Sequence, residues 1–318
     1  MTGFILRRLG GVLAVVAAMT VLIFGVVHVL PGNVAYAILG EFATPGAVAA
    51  LEAKLGLHDP LAVQYWRWLL GVLHGDFGVS LTMDRPAAPV VLDALGRSAV
   101  LAGLSFALVA TLGIGLGVYS ASRAGRLADH LVGLVQLILI AVPDFFWAIV
   151  AILVFSSLLG WLPATGYEPM AAGFGAWAAH LVLPVLVLAL GLVAHVSRLT
   201  RAAMLEALRS RYALMARAKG LSERRVLWRH AAPNALLPAI TILAIDFGLL
   251  IGGVVVVETV FAFPGLGRLL VFAIERHDLP LLQAGMLVLT TAYALANLVA
   301  DVLYALLNPR IRHAAAAA

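Results

Sequence analysis

The sequence predicts an all-α integral membrane protein with six transmembrane helices and one large cytosol-type loop, and three observations carry that prediction. Of 318 residues, 63% are hydrophobic and only 12% are charged, whereas a soluble domain has about 45–50% apolar and about 25% charged residues. Apolar runs near the ~20 residues that a bilayer requires recur six times. The basic residues are gathered in one place: nine Lys and Arg against two Glu lie between Ser197 and Asn234, a surplus larger than the +5 of the whole chain. Such a surplus in a loop follows the positive-inside rule, so nucleic acid is not an expected partner.

The six runs fall at about 10–30, 97–120, 131–159, 178–197, 236–260 and 281–307. Arg7 and Arg8 precede the first; it is long enough to span and no small-x-small cleavage site precedes Pro31-Gly32, so it reads as an uncleaved transmembrane helix. With the N-terminus in the cytosol, Arg7, Arg8, Arg123, Arg126, the nine basic residues of the central loop, Arg310 and Arg312 all lie inside, fifteen of 21. That asymmetry predicts cytosolic N- and C-termini.

The outer segment 31–96 carries turn signals at Pro31-Gly32-Asn33, Thr44-Pro45-Gly46 and Asp59-Pro60. Leu61, Tyr65, Trp66, Trp68 and Leu69 then predict a short interfacial helix with its tryptophans at headgroup depth. Outer loops follow near 160–177 and 262–280. Residues 1–96 are read as the first span plus this outer segment, and 97–318 as a five-helix core containing a cytoplasmic loop at 198–234. Ala314–Ala318 is the only low-complexity piece and reads as a frayed tail.

Within the basic stretch, Ala203, Leu205, Leu208, Tyr212, Met215 and Ala216 return at roughly helical spacing, which predicts an amphipathic helix with its arginines facing water. Gly220, after the cationic turn of Arg217 and Lys219, supplies a positive-φ terminator. Ser222 is placed to cap a second short helix from Glu223 to about Ala231, stopped by Pro233. A helix lying on anionic lipid would gain by staying continuous, whereas a helix, tight turn and helix form a compact knob that can fill a socket on a soluble partner.

Chemistry-bearing motifs are missing. The lysines are Lys54 and Lys219, and neither precedes Ser or Thr as a phosphate-cradling loop requires. There is no cysteine, no H-E-x-x-H and no G-x-S-x-G, and the nine histidines lack the i, i+4 pairing of a helical metal site. Catalysis, a bound cofactor and a metal centre are therefore not expected in this chain.

The string YALMARAKGLSERRVLWRHAAPNALLP, Tyr212–Pro238, resembles the cytoplasmic "EAA" loop of the permease subunits of bacterial ATP-binding-cassette importers, in the form of the dipeptide, oligopeptide and nickel subfamily. The name-giving Glu is absent and Gly220 is kept. The resemblance extends along nearly the whole chain, through FILRRLG, LPGN (with Asn33 where Asp is usual), LGLHDPLAVQYWRWL, HGDFGVSL, VPDFFW, LGWLPATGY, VVVVETVFAFPGLGRLL and ADVLYALLNPRIR, in the order of the B-type permease. It implies a bacterial inner-membrane importer with two unlike six-helix permeases, two ATPase subunits that hold ATP and Mg, an external solute-binding protein and surrounding lipid. It also implies that Arg217, Ala218, Lys219, Gly220, Leu221, Ser222 and Arg225 couple the chain to the ATPases. Dipeptides, longer peptides, opine-like compounds and nickel chelates all remain open as solutes. The rival classes are a stand-alone secondary transporter or channel, which would show inverted repeats with broken helices, and a membrane enzyme.

Acids inside spans are costly and point to a water-filled path or a buried partner. Asp144, Asp246 and Glu258 are the pathway candidates. Asp144 stands where the family more often has Ser, which makes it the better candidate for a cationic group. Glu258 and Asp301 match positions that the family carries as a matter of course. His28 and His195 read as packing or interfacial residues.

Overall fold

The computed structural model describes residues 2–29, 43–55 and 58–307. The expected turn at Pro31-Gly32-Asn33, the side chains of His28 and Lys54, and Arg310, Arg312 and Ala314–Ala318 lie outside the described residues. The described chain is helical apart from one two-stranded hairpin. Among the described residues five helices are long and apolar enough to cross a membrane, or six when one bent pair counts as a single span. A multi-pass helical membrane protein is thereby shown, because in hydrocarbon a helix satisfies its own backbone groups.

The chain divides into two compact units. One gathers residues 6–97 and 265–295. In it, helix α1 (Thr2–Val29) meets α3 (Leu61–Leu73), which follows α2 (Pro45–Leu55). The ring of Phe24 lies 5.4 Å from that of Tyr65 and 6.0 Å from that of Trp68, and Thr20 Oγ1 lies 2.9 Å from the Tyr65 hydroxyl. Helix α3 is thus the short helix expected from its aromatic pattern. Trp66 stays exposed.

Strands β1 (Val79–Ser80) and β2 (Arg85–Pro86) form the antiparallel hairpin. Buried Asp278 holds its loop: one carboxylate oxygen accepts from Ser80 Oγ at 2.5 Å and from the Thr82 N–H at 3.0 Å. The other accepts from the Leu281 N–H at the start of α13 (Leu279–Leu307), so one acid both caps a helix and orders a turn. Helix α12 (Leu266–Glu275) occupies much of the stretch near 262–280 where a loop is expected from the sequence. Its Leu266, Leu270 and Ala273 pack with Val91 and Leu281, an apolar stripe that helical spacing alone would have exposed.

The other unit holds residues 98–264 with 2–5 and 296–307. Helix α4 (Ala87–Leu108) enters it and continues through a π turn, Val109–Gly113, into α5 (Ile114–Ser122). The expected single span at 131–159 is broken. Helix α6 (Leu127–Ala141) ends, and α7 (Asp144–Ala151), extended by a π segment to Leu158, leaves at 105°. Pro143 causes the break: its ring drives Val142 to φ −103°, ψ 128°, outside the helical region.

Helix α8 (Phe174–Arg209) has 36 residues, about 54 Å at 1.5 Å per residue, far more than the ~30 Å hydrocarbon layer. The span expected at 178–197 therefore continues, and the first third of the basic stretch is its extension. After Ser210 come α9 (Arg211–Ala218) and the three-residue α10 (Glu223–Arg225). A π segment, Val226–Ala231, then leads into α11 (Ala232–Val260). Pro233 does not stop the second short helix as expected. It sits in the first turn of α11, where the missing N–H is tolerated, and the chain runs on through it.

The π turn and helix α5 approach α8 closely because Gly113, at the end of the turn, and Gly117, one helical turn on, face α8. A Cβ on Gly113 would stand 2.9 Å from Val196 Cβ; one on Gly117 would stand 2.5 Å from Thr200 Cβ and 2.6 Å from the Ser197 carbonyl oxygen. Small residues at such a seam let backbones meet, the main source of helix association where lipid is as apolar as leucine. Gly115, on the other side, meets nothing within 4 Å. Gly117→Val should cost about 1–3 kcal/mol through overpacking and lower the melting temperature of detergent-purified protein, while Gly115→Val should leave it near the parent value. Equal melting temperatures would show that the seam yields.

Candidate functional site

The knob is built from three turns of chain. Ser210 accepts the Ala213 N–H on its Oγ, and its own hydroxyl donates to the Ala207 carbonyl at 2.6 Å, which bends the chain out of α8. This bend resets the helical phase. Ala213 and Ala216 turn inward against Val226, Leu208 and Leu221, while Tyr212 and Met215, expected on the apolar inner face, are exposed with Leu214.

Gly220 has φ +78°. The Leu221 N–H donates to the Ala216 carbonyl at 3.3 Å, and the Gly220 N–H to Arg217 at 2.9 Å, the paired bonds of a Schellman terminus. Lys219 closes the last turn with φ −81°, ψ 6°. Ser222 has the extended backbone of an N-cap, but its side chain makes no capping bond; its carbonyl accepts from Arg225 and Val226. Ser210 is the serine that caps.

Arg217 ties these turns together. Its Nε and Nη2 donate to Glu223 at 2.7 and 3.1 Å, and its Nη1 donates to the Leu208 carbonyl at 2.9 Å, satisfying a free carbonyl at the end of α8. The Glu223 carboxylate beside it raises the guanidinium further above its ordinary value. Arg217, expected at a partner interface, also braces the knob through bonds within its own chain. Ala218, Lys219, Ser222, Arg224 and Arg225 are exposed, beside Trp228 at 58% exposure. The outer face of the knob is therefore basic and aromatic together.

The arginines of the stretch do not all face water. Arg201 donates Nε and Nη2 to the two oxygens of Asp129 at 2.6 and 2.7 Å, and Asp129 also accepts from Ser120 Oγ and the Gly125 N–H. A buried carboxylate in the first turn of α6 is thereby fully satisfied, and the α5–α6 turn is locked to α8. Sequence patterns gave no warning of this clamp beyond the isolated Asp129 next to the Gly125 turn. One turn nearer the middle of α8, Gln136 Nε2 donates to Ser197 Oγ at 2.6 Å.

The three pathway candidates fall in different settings. Asp144 begins α7 at the 105° break. Its Oδ1 lies 3.7 Å from where a Cβ on Gly191 would stand and its Oδ2 3.9 Å from the same position on Gly253. It therefore sits against glycine faces of α8 and α11, half-buried, with no hydrogen-bond or ion-pair partner among the described residues. Asp246 is buried; its Oδ2 accepts from His195 Nδ1 at 2.9 Å and its Oδ1 has no partner among the described residues. His195, read from sequence as a packing residue, is thus half of a polar pair. Glu258 is fully buried and accepts from Ser98 Oγ at 2.5 Å, the geometry of a tie between helices. Asp301 is half-buried near the end of α13. Among the described residues no cluster of three or more His, Asp or Glu is placed to hold a metal.

A bundle of apolar spans, a rigid basic knob on the extension of one of them, and no phosphate-cradling loop together define the membrane subunit of a transporter. The family described as binding-protein-dependent transport system inner membrane component matches residues 113–313, and its N-terminal counterpart matches residues 1–99. The chain is 39% identical over 313 residues to a putative peptide transport system permease protein of Brucella abortus, covering 98% of this chain and 100% of the relative. It is 34% identical over 333 residues to a dipeptide transport system permease protein of Alkalihalophilus pseudofirmus and 37% identical over 313 residues to a glutathione transport system permease protein of Salmonella paratyphi A, with the same coverage. The chain belongs to this family, as a B-type permease subunit of the ATP-binding-cassette importers.

The strut predicts a charge-swap experiment. Arg217→Glu places two carboxylates face to face and frees the Leu208 carbonyl, and should lower knob stability by about 1–2 kcal/mol. Adding Glu223→Arg should recover part of that loss, read as slowed hydrogen exchange of residues 211–226; no recovery would mean that the pair is not coupled. A Cβ at Gly220 would meet nothing within 4 Å, so the cost of Gly220→Val should be chiefly the left-handed backbone, about 1–2 kcal/mol, and should speed exchange in the same segment.

Proposed function

We propose that the chain is the membrane-spanning half of an inward peptide pump, working with a second homologous permease, two ATPase subunits and an external solute-binding protein. The knob carries this reading: a Schellman turn braced by Arg217 transmits force, and its exposed Tyr212, Leu214, Met215 and Trp228 with Lys219, Arg224 and Arg225 fit an apolar socket with an acidic rim. ATP binding and hydrolysis belong to the partners, and this chain is no enzyme by itself. Closure of the ATPases pushes the knob, and α8, continuous from knob to bundle, carries the movement to the intramembrane acids and rocks the helices between inward-open and outward-open states.

The relatives named for peptide, dipeptide and glutathione transport support di- or oligopeptides as the solute. Asp144, an unpartnered acid at a helix break, is the contact for a peptide's ammonium group, because an unpaired charge inside a span marks a pathway. In this reading residues 97–318 act as the core, with 1–96 flanking it, and the charge asymmetry of the loops supports cytosolic chain ends.

Reconstitution tests the whole reading. The chain, copurified with a second permease and two ATPases, should accumulate labelled dipeptide in vesicles when ATP is enclosed with the ATPases and loaded binding protein is on the opposite face; ATP-independent uptake by the chain alone would favour a secondary transporter. Asp144→Asn should lower that uptake about tenfold, the size of one hydrogen bond to a charged group, with assembly unchanged by copurification. For orientation, cysteines introduced at Thr82 and Tyr167 should label from outside and one at Ser210 only from inside; labelling of Ser210 from outside reverses the topology.

A further inference from the structure

Resting on the peptide reading above, we infer that the His195–Asp246 pair is the receiving point for the peptide's C-terminal carboxylate, opposite the ammonium contact at Asp144. The pair is held in one arrangement. His195 Nδ1 is 2.9 Å from Asp246 Oδ2, and the Asp246 side chain is 2% exposed while that of His195 is 43% exposed. A buried carboxylate that takes Nδ1–H fixes the ring and leaves Nε2 without a partner among the described residues. In the imidazolium form Nε2–H is a charged donor to a carboxylate. Asp246 balances the charge, so the pair offers a cationic donor without leaving a net charge in the span.

Spacing decides what the pair can receive. Asp144 lies against Gly191 of α8, and His195 follows one turn later on the same helix, about 6 Å along its axis. On α11, Asp144 lies against Gly253, and Asp246 is seven residues earlier, about 10 Å away. An extended peptide spans about 7 Å for two residues and about 10 Å for three. Along this seam the His195–Asp246 pair is thus set about 6–10 Å in helical rise from the glycines that Asp144 lies against, a spacing that suits the two charged ends of a di- or tripeptide. The glycines leave room for its backbone between them, since neither presents a side chain. The second oxygen of Asp246, buried without a donor, is consistent with a carboxylate kept to hold an imidazole rather than to satisfy a packing network.

The test uses the reconstituted four-subunit complex with saturating binding protein loaded with dialanine. His195→Gln keeps the ring's approximate size and hydrogen bonding without the charge, and should lower ATP-driven dialanine uptake about tenfold. His195→Arg, which restores a cationic donor, should regain most of the loss. Uptake at the parent rate by His195→Gln overturns the inference, and so does a His195→Arg variant no better than His195→Gln, which would make His195 a packing residue. Should His195→Gln fail to copurify with its partners, Asp246→Asn decides instead: lowered uptake supports the pair, and the parent rate overturns it. A parent complex that carries no dialanine overturns the peptide reading, and this inference with it; a parent complex that carries dialanine while the variants match it overturns the inference alone.

Discussion

Backbone polar groups have no water to turn to inside hydrocarbon, so a segment that crosses it must satisfy them within itself. Helix α8 meets that constraint over 36 residues and then keeps going. Its unit is organised on its faces: the glycines of α5 press against Val196 and Thr200, Gln136 and Asp129 of α6 bond to Ser197 and Arg201, and Asp246 of α11 holds His195. Beyond the bend at Ser210, Arg217 closes the Leu208 carbonyl and so ties the knob to the end of this helix. A helix is stiff along its axis.

The charged groups sort by what surrounds them. Asp129 with Arg201 and Glu258 with Ser98 have their partners, and such pairs hold position rather than chemistry. Asp144 has none among the described residues, because the positions facing it on α8 and α11 are glycines. Asp246 has one of two. An incompletely satisfied carboxylate in a span is maintained against a cost of several kcal/mol, and the two such acids lie along one seam.

Much of this was legible in the chain. Apolar runs located the spans, because the bilayer demands length and composition that no soluble segment needs. Gly220 announced its positive φ, since glycine after a cationic turn is the least strained way to end a helix. The aromatic spacing of Leu61–Leu69 announced α3. Pro143 was visible too, yet an apolar run of spanning length hid the break, because composition is blind to the carbonyl and ring clash that ends α6. Pro233 misled in the opposite direction: a proline in the first turn of α11 costs no hydrogen bond, and only the helix that forms around it shows which turn that is.

By itself, then, the sequence determined that the protein is helical and membrane-embedded and where its basic knob lies. These follow from local properties: hydropathy, charge and the conformational freedom of single residues. The partners of each charge were decided only in the tertiary structure. Arg201 and Arg217 belong to the same basic run, but one reaches back 72 positions to Asp129 and the other forward six to Glu223. His195 and Asp246 are 51 positions apart and meet because α8 and α11 pack side by side. Pairing across such separations depends on which helix faces meet, and that is set by close approach at glycines and by bends at Ser210 and Pro143, none of which a residue's own neighbours in the chain can specify.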